Sequence, residues 1–159
     1  MPPLENLVDP RAVSLWRLSG LIRLAIVGAP ISVAIGVGVA WALNPAVGVL
    51  LGGVVLVVQA ASAVIWPALE YERLRYALRE HDVLLQEGVL FRSWSAVPYT
   101  RIQHVDTRQG PVERALGLTS LYVYTASGMG ADLRIPGLAE AEAARLRDLL
   151  SRRGGDDGV

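Results

Sequence analysis

Two stretches, Leu24 to Leu43 and Ala46 to Trp66, contain no charged side chain and are separated only by Asn44-Pro45. Each has about the 20 apolar residues needed to cross ~30 Å of hydrocarbon at ~1.5 Å per residue. The chain therefore reads as an integral membrane protein. Because the linking turn is so short, the second span must return at once, forming a hairpin with both termini on one face. Arg11, Arg17 and Arg23 precede the first span, Arg73, Arg75 and Arg79 follow the second, and the turn has no positive charge. By the positive-inside rule both ends are expected in the cytoplasm. A secretory signal followed by a buried core helix fits less well, since the first span lacks a small-residue cleavage pattern and a second full span follows directly.

Around the hairpin, the expected divisions are a juxtamembrane segment at 1–23, the hairpin at 24–66, one compact domain at 70–153 and a disordered tail at 154–159. All 15 basic residues are arginine and there is no cysteine, which excludes disulfide and thiolate-metal chemistry. Charges balance over the chain, so no nucleic-acid partner is expected, such a partner normally needing a basic face. Pro10 to Leu21 reads as a short interfacial helix, with Trp16 and Arg17 suited to the headgroup level. Trp41 and Trp66 read as interface anchors. Small residues recur along both spans, with Gly28, Ser32 and Gly36 on the first and Gly48 and Gly52 on the second. Such stripes allow close backbone approach, and the nearest use is packing the hairpin against itself. Pro30 predicts a mild kink. Gln59 is the one strongly polar side chain in the spans, which makes an ion pathway a poor reading.

After Pro67 the hydrophobic period changes from helical to two-residue. In Arg73 to Arg79, Leu74, Tyr76 and Leu78 alternate with arginines, as in a half-buried strand. Further strands are expected at Val83 to Gln86, Val89 to Trp94, Ser95 to Pro98, Ile102 to Thr107, Ser120 to Ala126 and Ala131 to Ile135. Glu80-His81-Asp82, Glu87-Gly88 and Gly128 with Gly130 mark turns. Pro111 to Leu116 predicts one helical turn closed by Gly117. A helix from about Leu138 to Leu150 presents Ala139, Ala143, Leu146 and Leu149 on one face, with Glu140 and Glu142 at its start. Several antiparallel strands followed by one amphipathic helix suggest a β-sandwich or partly open barrel with the helix capping it.

Four segments, Glu87-Gly88-Val89-Leu90, Val97 to Val105 (VPYTRIQHV), Gln109 to Leu118 (QGPVERALGL) and Leu121 to Ala126 (LYVYTA), in this order and spacing resemble the bacterial pleckstrin-homology-like domain of YdbS-like membrane proteins. The resemblance runs from about Tyr71 to Leu150, and the preceding two-span hairpin belongs to the same architecture. It implies an α+β membrane protein: a two-helix transmembrane hairpin, then a pleckstrin-homology-like antiparallel β-sandwich or partly open barrel capped by a C-terminal α-helix. It also implies work beside a larger membrane protein carrying several copies of the domain, and it supplies no catalytic residues.

Arg101, Gln103, Arg108, Gln109 and Arg114 are the candidate partner-binding residues. Each of them can equally brace the fold, because most side-chain hydrogen bonds serve a protein's own backbone. Arg73, Arg75 and Arg79 are candidates to face anionic lipid. Phosphoinositide recognition is disfavoured: the loop taken to join the first two strands, Glu80-His81-Asp82, is acidic. Between Glu70 and Arg153 there are 12 arginines against 11 acidic residues, a net of +1, far from a polybasic lipid reader. His104 and Asp106 share a strand face and His81 and Asp82 share a turn, but two ligands do not make a metal site. No nucleophile lies in a recognisable setting. The expected function is a non-enzymatic interaction module in a membrane complex, with no cofactor; its expected partners are the lipid bilayer and a second membrane protein of the same domain family, self-association remaining open. The alternative is a membrane-surface sensor of anionic lipid.

Overall fold

The computed structural model describes residues 6–126 and 130–156. They form two compact units, one of residues 16–68 and one of the N-terminal residues through Leu15 together with Leu69 onward.

Helix α1 (Arg11–Arg23), which leads into the first unit, a π turn (Leu24–Gly28) and α2 (Ala29–Ala42) make one continuous helical run. The π turn answers Pro30, which lacks an amide and whose ring would press on the carbonyl four residues back. The widened turn just before it closes with the Ala29 N–H on the Leu24 carbonyl. Asn44 accepts the Ala46 N–H at 2.8 Å, and Pro45 opens α3 (Pro45–Arg73), the first helical position being where proline is tolerated. Both helical runs are long and apolar enough to cross a membrane, with only 11% and 6% of their most apolar windows buried. A core helix of a soluble protein would be mostly buried.

The small residues pack these helices backbone to backbone. A Cβ added to Gly36 would lie 3.1 Å from the Gly48 carbonyl oxygen, and one on Gly52 would lie 2.9 Å from that of Ser32. Gly20 is similarly close to Ala63, and Gly48 leaves no room beside Gly36 and Ala40. The Ser32 hydroxyl donates to the Gly28 carbonyl at 2.9 Å and accepts from Gln59 Nε2 at 3.3 Å. The span's one strongly polar side chain thus meets a partner inside the helix pair. Contrary to the expected switch at Pro67, α3 runs through it to Arg73. Proline removes the donor to the Ala63 carbonyl there, and on the same turn Arg17 Nε donates to the adjoining Val64 carbonyl at 3.1 Å.

The second unit has two antiparallel sheets. The first, in order, is β1 (Asn6–Leu7), β2 (Arg75–Leu78), β3 (Asp82–Glu87) and β4 (Ser93–Pro98). After a 3₁₀ turn (Tyr99–Arg101) come β5 (Ile102–Arg108), α4 (Pro111–Leu116), β6 (Leu118–Thr125) and β7 (Leu133–Ala139), with β5-β6-β7 forming the second sheet. Helix α5 (Glu140–Asp156) packs on β5, β6 and β7. Core residues come from every layer: Val8, Tyr76, Val83, Leu85, Leu118, Leu121, Val123, Ile135, Leu138, Ala143, Leu146 and Leu150 are buried. The α4 turn closes as the sequence indicates, with Gly117 at φ +64.

Several boundaries differ from expectation. Asn6 pairs with Tyr76 and Leu7 with Arg75, so a strand that precedes the membrane helices is the edge of the domain's first sheet. Val8, Ala12 and Leu15 are buried with it. The domain is therefore discontinuous, with the helical hairpin inserted between its first two strands, and residues before Leu15 are not merely juxtamembrane. The acidic turn Glu80-His81-Asp82 consequently joins β2 to β3, not the first pair. Arg73 ends a helix and is not in a strand. Val89–Arg92 form the β3–β4 turn instead of a strand, because Gly88 at φ +100 starts the reversal and Phe91 folds back over it. On α5, Leu150 and not Leu149 fills the core, and the helix extends to Asp156, past the expected stop at Leu150 and into the segment 154–156 expected to be disordered. Gly128 and residues 157–159 lie outside the described residues.

Candidate functional site: a groove between β5 and α5

Strand β5 is the outer strand of its sheet; among the described residues only β6 pairs with it. Beside its free edge runs a groove of about 380 Å³, with Ile102, Gln103, His104 and Val105 on one wall and Arg147, Ser151 and Gly154 of α5 on the other. The extra turn of α5 builds much of that second wall. Gly154 permits it, since a Cβ there would sit 3.2 Å from Ile102 Cβ and from its carbonyl oxygen.

The pairing register slips between Ile102 and His104, placing Gln103 in a bulge. Bulges re-aim side chains and are common at sheet edges. Both Gln103 and His104 are exposed, while Ile102 and Val105 are buried. The His104 ring lies 5.8 Å from that of Tyr124. The wall is thus polar at its lip and apolar at its floor.

Residues next in the chain to the groove walls meet at the Arg79 carbonyl. The Tyr99 hydroxyl donates to it at 2.9 Å and Arg153 Nη1 at 3.0 Å, while the Arg153 guanidinium lies 4.9 Å from the Tyr99 ring centroid. Burial pushes the Tyr99 phenol above its ordinary pKa, with the Arg153 charge opposing. The contact ties the last turns of α5 to the chain entering β5.

The five candidate partner-binding residues do not gather in one place. Gln103 lines the groove, and the exposed Arg101 is two residues before it in the 3₁₀ turn. Arg108 lies at the far end of β5, roughly 17 Å along the strand at ~3.3 Å per residue. Its Nη2 donates to the Tyr124 hydroxyl at 2.7 Å, its Nε meets Asp106 at 3.3 Å, and its guanidinium covers Tyr122 at 5.0 Å. Gln109 Nε2 donates to the Leu118 carbonyl at 2.9 Å, a bracing role. Arg114 is exposed on α4. Nor do the candidate lipid-facing arginines share one strand face: Arg73 ends α3, Arg75 opens β2, and Arg79 lies in the β2–β3 turn, 3.8 Å from Asp82.

Three bracing residues were not singled out from the sequence. Glu113 accepts from the Gly110 amide at 2.6 Å and from the Ser120 hydroxyl at 2.7 Å, closing the start of α4. Asp132 accepts the amide and hydroxyl of Thr125, both at 2.8 Å. Arg11 joins Asp9 at 2.9 Å and donates to the Leu116 carbonyl at 3.0 Å, clamping the N-terminal arm. That arginine holds the Asp9 carboxyl below its ordinary pKa. The Gly110-x-x-Glu113 spacing was a readable signal for the first, since Glu at the third helical position reaches back to the cap amide. Among the described residues no group of three His, Asp or Glu side chains is placed to hold a metal ion.

Residues 21–154 match the family model described as bacterial PH domain. The chain belongs to that family. This bacterial PH domain protein is also 33% identical, over 158 residues, to a transmembrane protein of Bacillus subtilis (strain 168), UPF0699 transmembrane protein YdbS, the alignment covering 98% of this chain and 97% of that protein. No solved structure matches significantly. The family match begins at residue 21 and omits β1, whereas the likeness to YdbS extends over nearly the whole chain. The bacterial PH domain here is a membrane protein with two long apolar helices and an antiparallel β domain closed by α5.

Proposed function

We propose that this bacterial PH domain protein is a non-enzymatic, two-span protein of the cell membrane that docks a segment of a second membrane protein in the groove between β5 and α5. The observation that carries the reading is the unpaired β5 edge beside that groove. An extended segment can add there as a further strand, its backbone supplying the hydrogen bonds and alternate side chains entering the groove. The partner that fits best is a larger membrane protein bearing several PH-like domains. The absence of arginine from the Asn44-Pro45 turn, against three arginines on each flank, supports cytoplasmic termini.

Anchoring supports the reading physically. A domain held at the membrane surface meets membrane partners at high effective concentration, so modest intrinsic affinity suffices. The test is mild crosslinking of the full-length protein in its native membrane, followed by mass spectrometry of what accompanies it. The exposed Ser151 allows Ser151→Trp, which fills the groove from outside the core. A near-stoichiometric PH-domain membrane protein lost in Ser151→Trp, with unchanged thermal melting, is the expected result. Equal recovery from both versions, or recovery of this chain alone, refutes groove docking.

A further inference from the structure

The β3–β4 turn exposes apolar surface where a water-facing hairpin would normally carry polar residues. Leu90 is 76% exposed, Phe91 89% and the neighbouring Trp94 47%. None of them lines the β5–α5 groove, so the docking reading leaves them without a role. Backbone needs do not explain them: Gly88 at φ +100 makes the reversal, and polar residues would serve at 90 and 91.

The register shows which end of the sheet they occupy. Arg75, the first residue of β2, pairs with Gln86, and Gln86 pairs with Trp94. Leu7 of β1 also pairs with Arg75. The chain thus leaves the sheet toward α1 and re-enters it from α3 at the same end at which the β3–β4 turn projects. His81, in the β2–β3 turn, marks the opposite end. Arg75 follows Trp66, the interface anchor expected at the end of the second span, by nine positions, a reach of only about 14 Å if helical.

We infer that the β3–β4 turn is a membrane-dipping tip, with Leu90 and Phe91 inserted into the interfacial region of the bilayer that holds the chain. Trp94 and Arg92 are the side-chain types that settle at the headgroup boundary, one through its amphipathic ring and the other by snorkelling. The drive is apolar, not a matter of lipid charge. Arg73, Arg75 and Arg92 near this end are offset by Glu72 and Glu87. Insertion into neutral lipid separates this role from that of an anionic-lipid sensor.

Because the protein has no native cysteine, single sites can be spin-labelled in the full-length chain. Arg92→Cys places a label beside an intact tip, and His81→Cys provides the control at the other end. Both are reconstituted in phosphatidylcholine nanodiscs, and relaxation is measured with oxygen, which concentrates in the bilayer, and with a water-soluble nickel chelate. The expected result is oxygen dominance at position 92 and nickel dominance at position 81. In the Arg92→Cys background, Leu90→Ser with Phe91→Ser should shift the label to the control's value, while Ser151→Trp should leave it unchanged. Nickel dominance at position 92 with the tip intact overturns the inference. Protection from both reagents overturns it in favour of a protein contact, such as a second copy of this chain.

Discussion

Replacing Val8 with alanine tests whether the N-terminal arm belongs to the β domain. Val8 is 2% exposed and follows the two residues that pair with β2. The substitution removes two buried methyl groups, each worth about 0.8 kcal/mol, and the unfilled space raises the cost to about 2 kcal/mol. If β1 opens locally, that loss appears as easier detachment of the arm, without unfolding of the whole sheet. At 1.36 kcal/mol per factor of ten, whichever of the Arg75 and Tyr76 amides faces β1, the other facing β3, should exchange about 30-fold faster. Hydrogen exchange on nanodisc-reconstituted protein reads this directly, with the amides of Leu84 and Leu85 between β2 and β4 as internal controls. Unchanged exchange at Arg75 and Tyr76 would refute the pairing's contribution. An equal rise at Leu84 and Leu85 would refute local opening and make the arm part of the global core.

Gly117→Ala should lower domain stability by about 1 kcal/mol, because φ +64 penalises a Cβ; urea unfolding followed by circular dichroism checks it. Gly48→Leu has no room beside Gly36 and Ala40 and should move the helix axes apart by about 2 Å, packing distance following interfacial side-chain size. Spin labels on the exposed Val33 and Val54 would report that increase as a longer distance. Burial, reinforced by the nearby Glu142 carboxylate, pushes Tyr76 up to about 12. The folded state then keeps a proton that the unfolded chain loses from the ordinary value of 10.0 upward, so this stabilisation is present below about pH 10 and declines through about pH 12. Its size is about 2 to 3 kcal/mol. Alkaline unfolding of Tyr76→Phe should lack that decline, and an identical pH profile would contradict it.

The features that could be read from sequence are those with local physical causes. Two uncharged stretches of bilayer length need no tertiary information, and Pro111 with Gly117 brackets α4 by its termini alone. Alternation located β2, and the turn residues on either side bracketed β3. What escaped was decided at a distance. Asn6-Leu7 has no visible strand pattern, being only two residues long, and becomes a strand through Tyr76 and Arg75 on the far side of two helices. Pro67 looked like a boundary because proline usually is one, yet α3 runs on through it to Arg73. Gly154 looked like a helix end, whereas its missing side chain lets α5 continue close against Ile102. That last reversal hid the groove. Gln103 was legible as a candidate, but Ser151 and Arg147 were not, since nothing in their local pattern distinguishes them from any solvated helix face.

The π turn at Leu24–Gly28 has a consequence for the geometry of the helix pair. Residues at four-residue intervals advance about 400°, so their stripe creeps by about 40° per interval around a straight α-helix of 3.6 residues per turn. From Gly20 to Gly36, both of which meet α3, the creep would reach about 160°, nearly the opposite side of the cylinder. A turn that accommodates one additional residue cancels about 100° of that rotation, leaving about 60°. The turn that relieves Pro30 therefore works as a phase correction, keeping one seam of small residues in line over a length at which an uninterrupted helix would have carried it away from its neighbour. Straightening Leu24–Gly28 into regular α-helix with all its residues kept would undo the correction and turn Gly20 away from Ala63, whereas deleting one residue there would remove the bulge and its extra residue together and leave the seam in line.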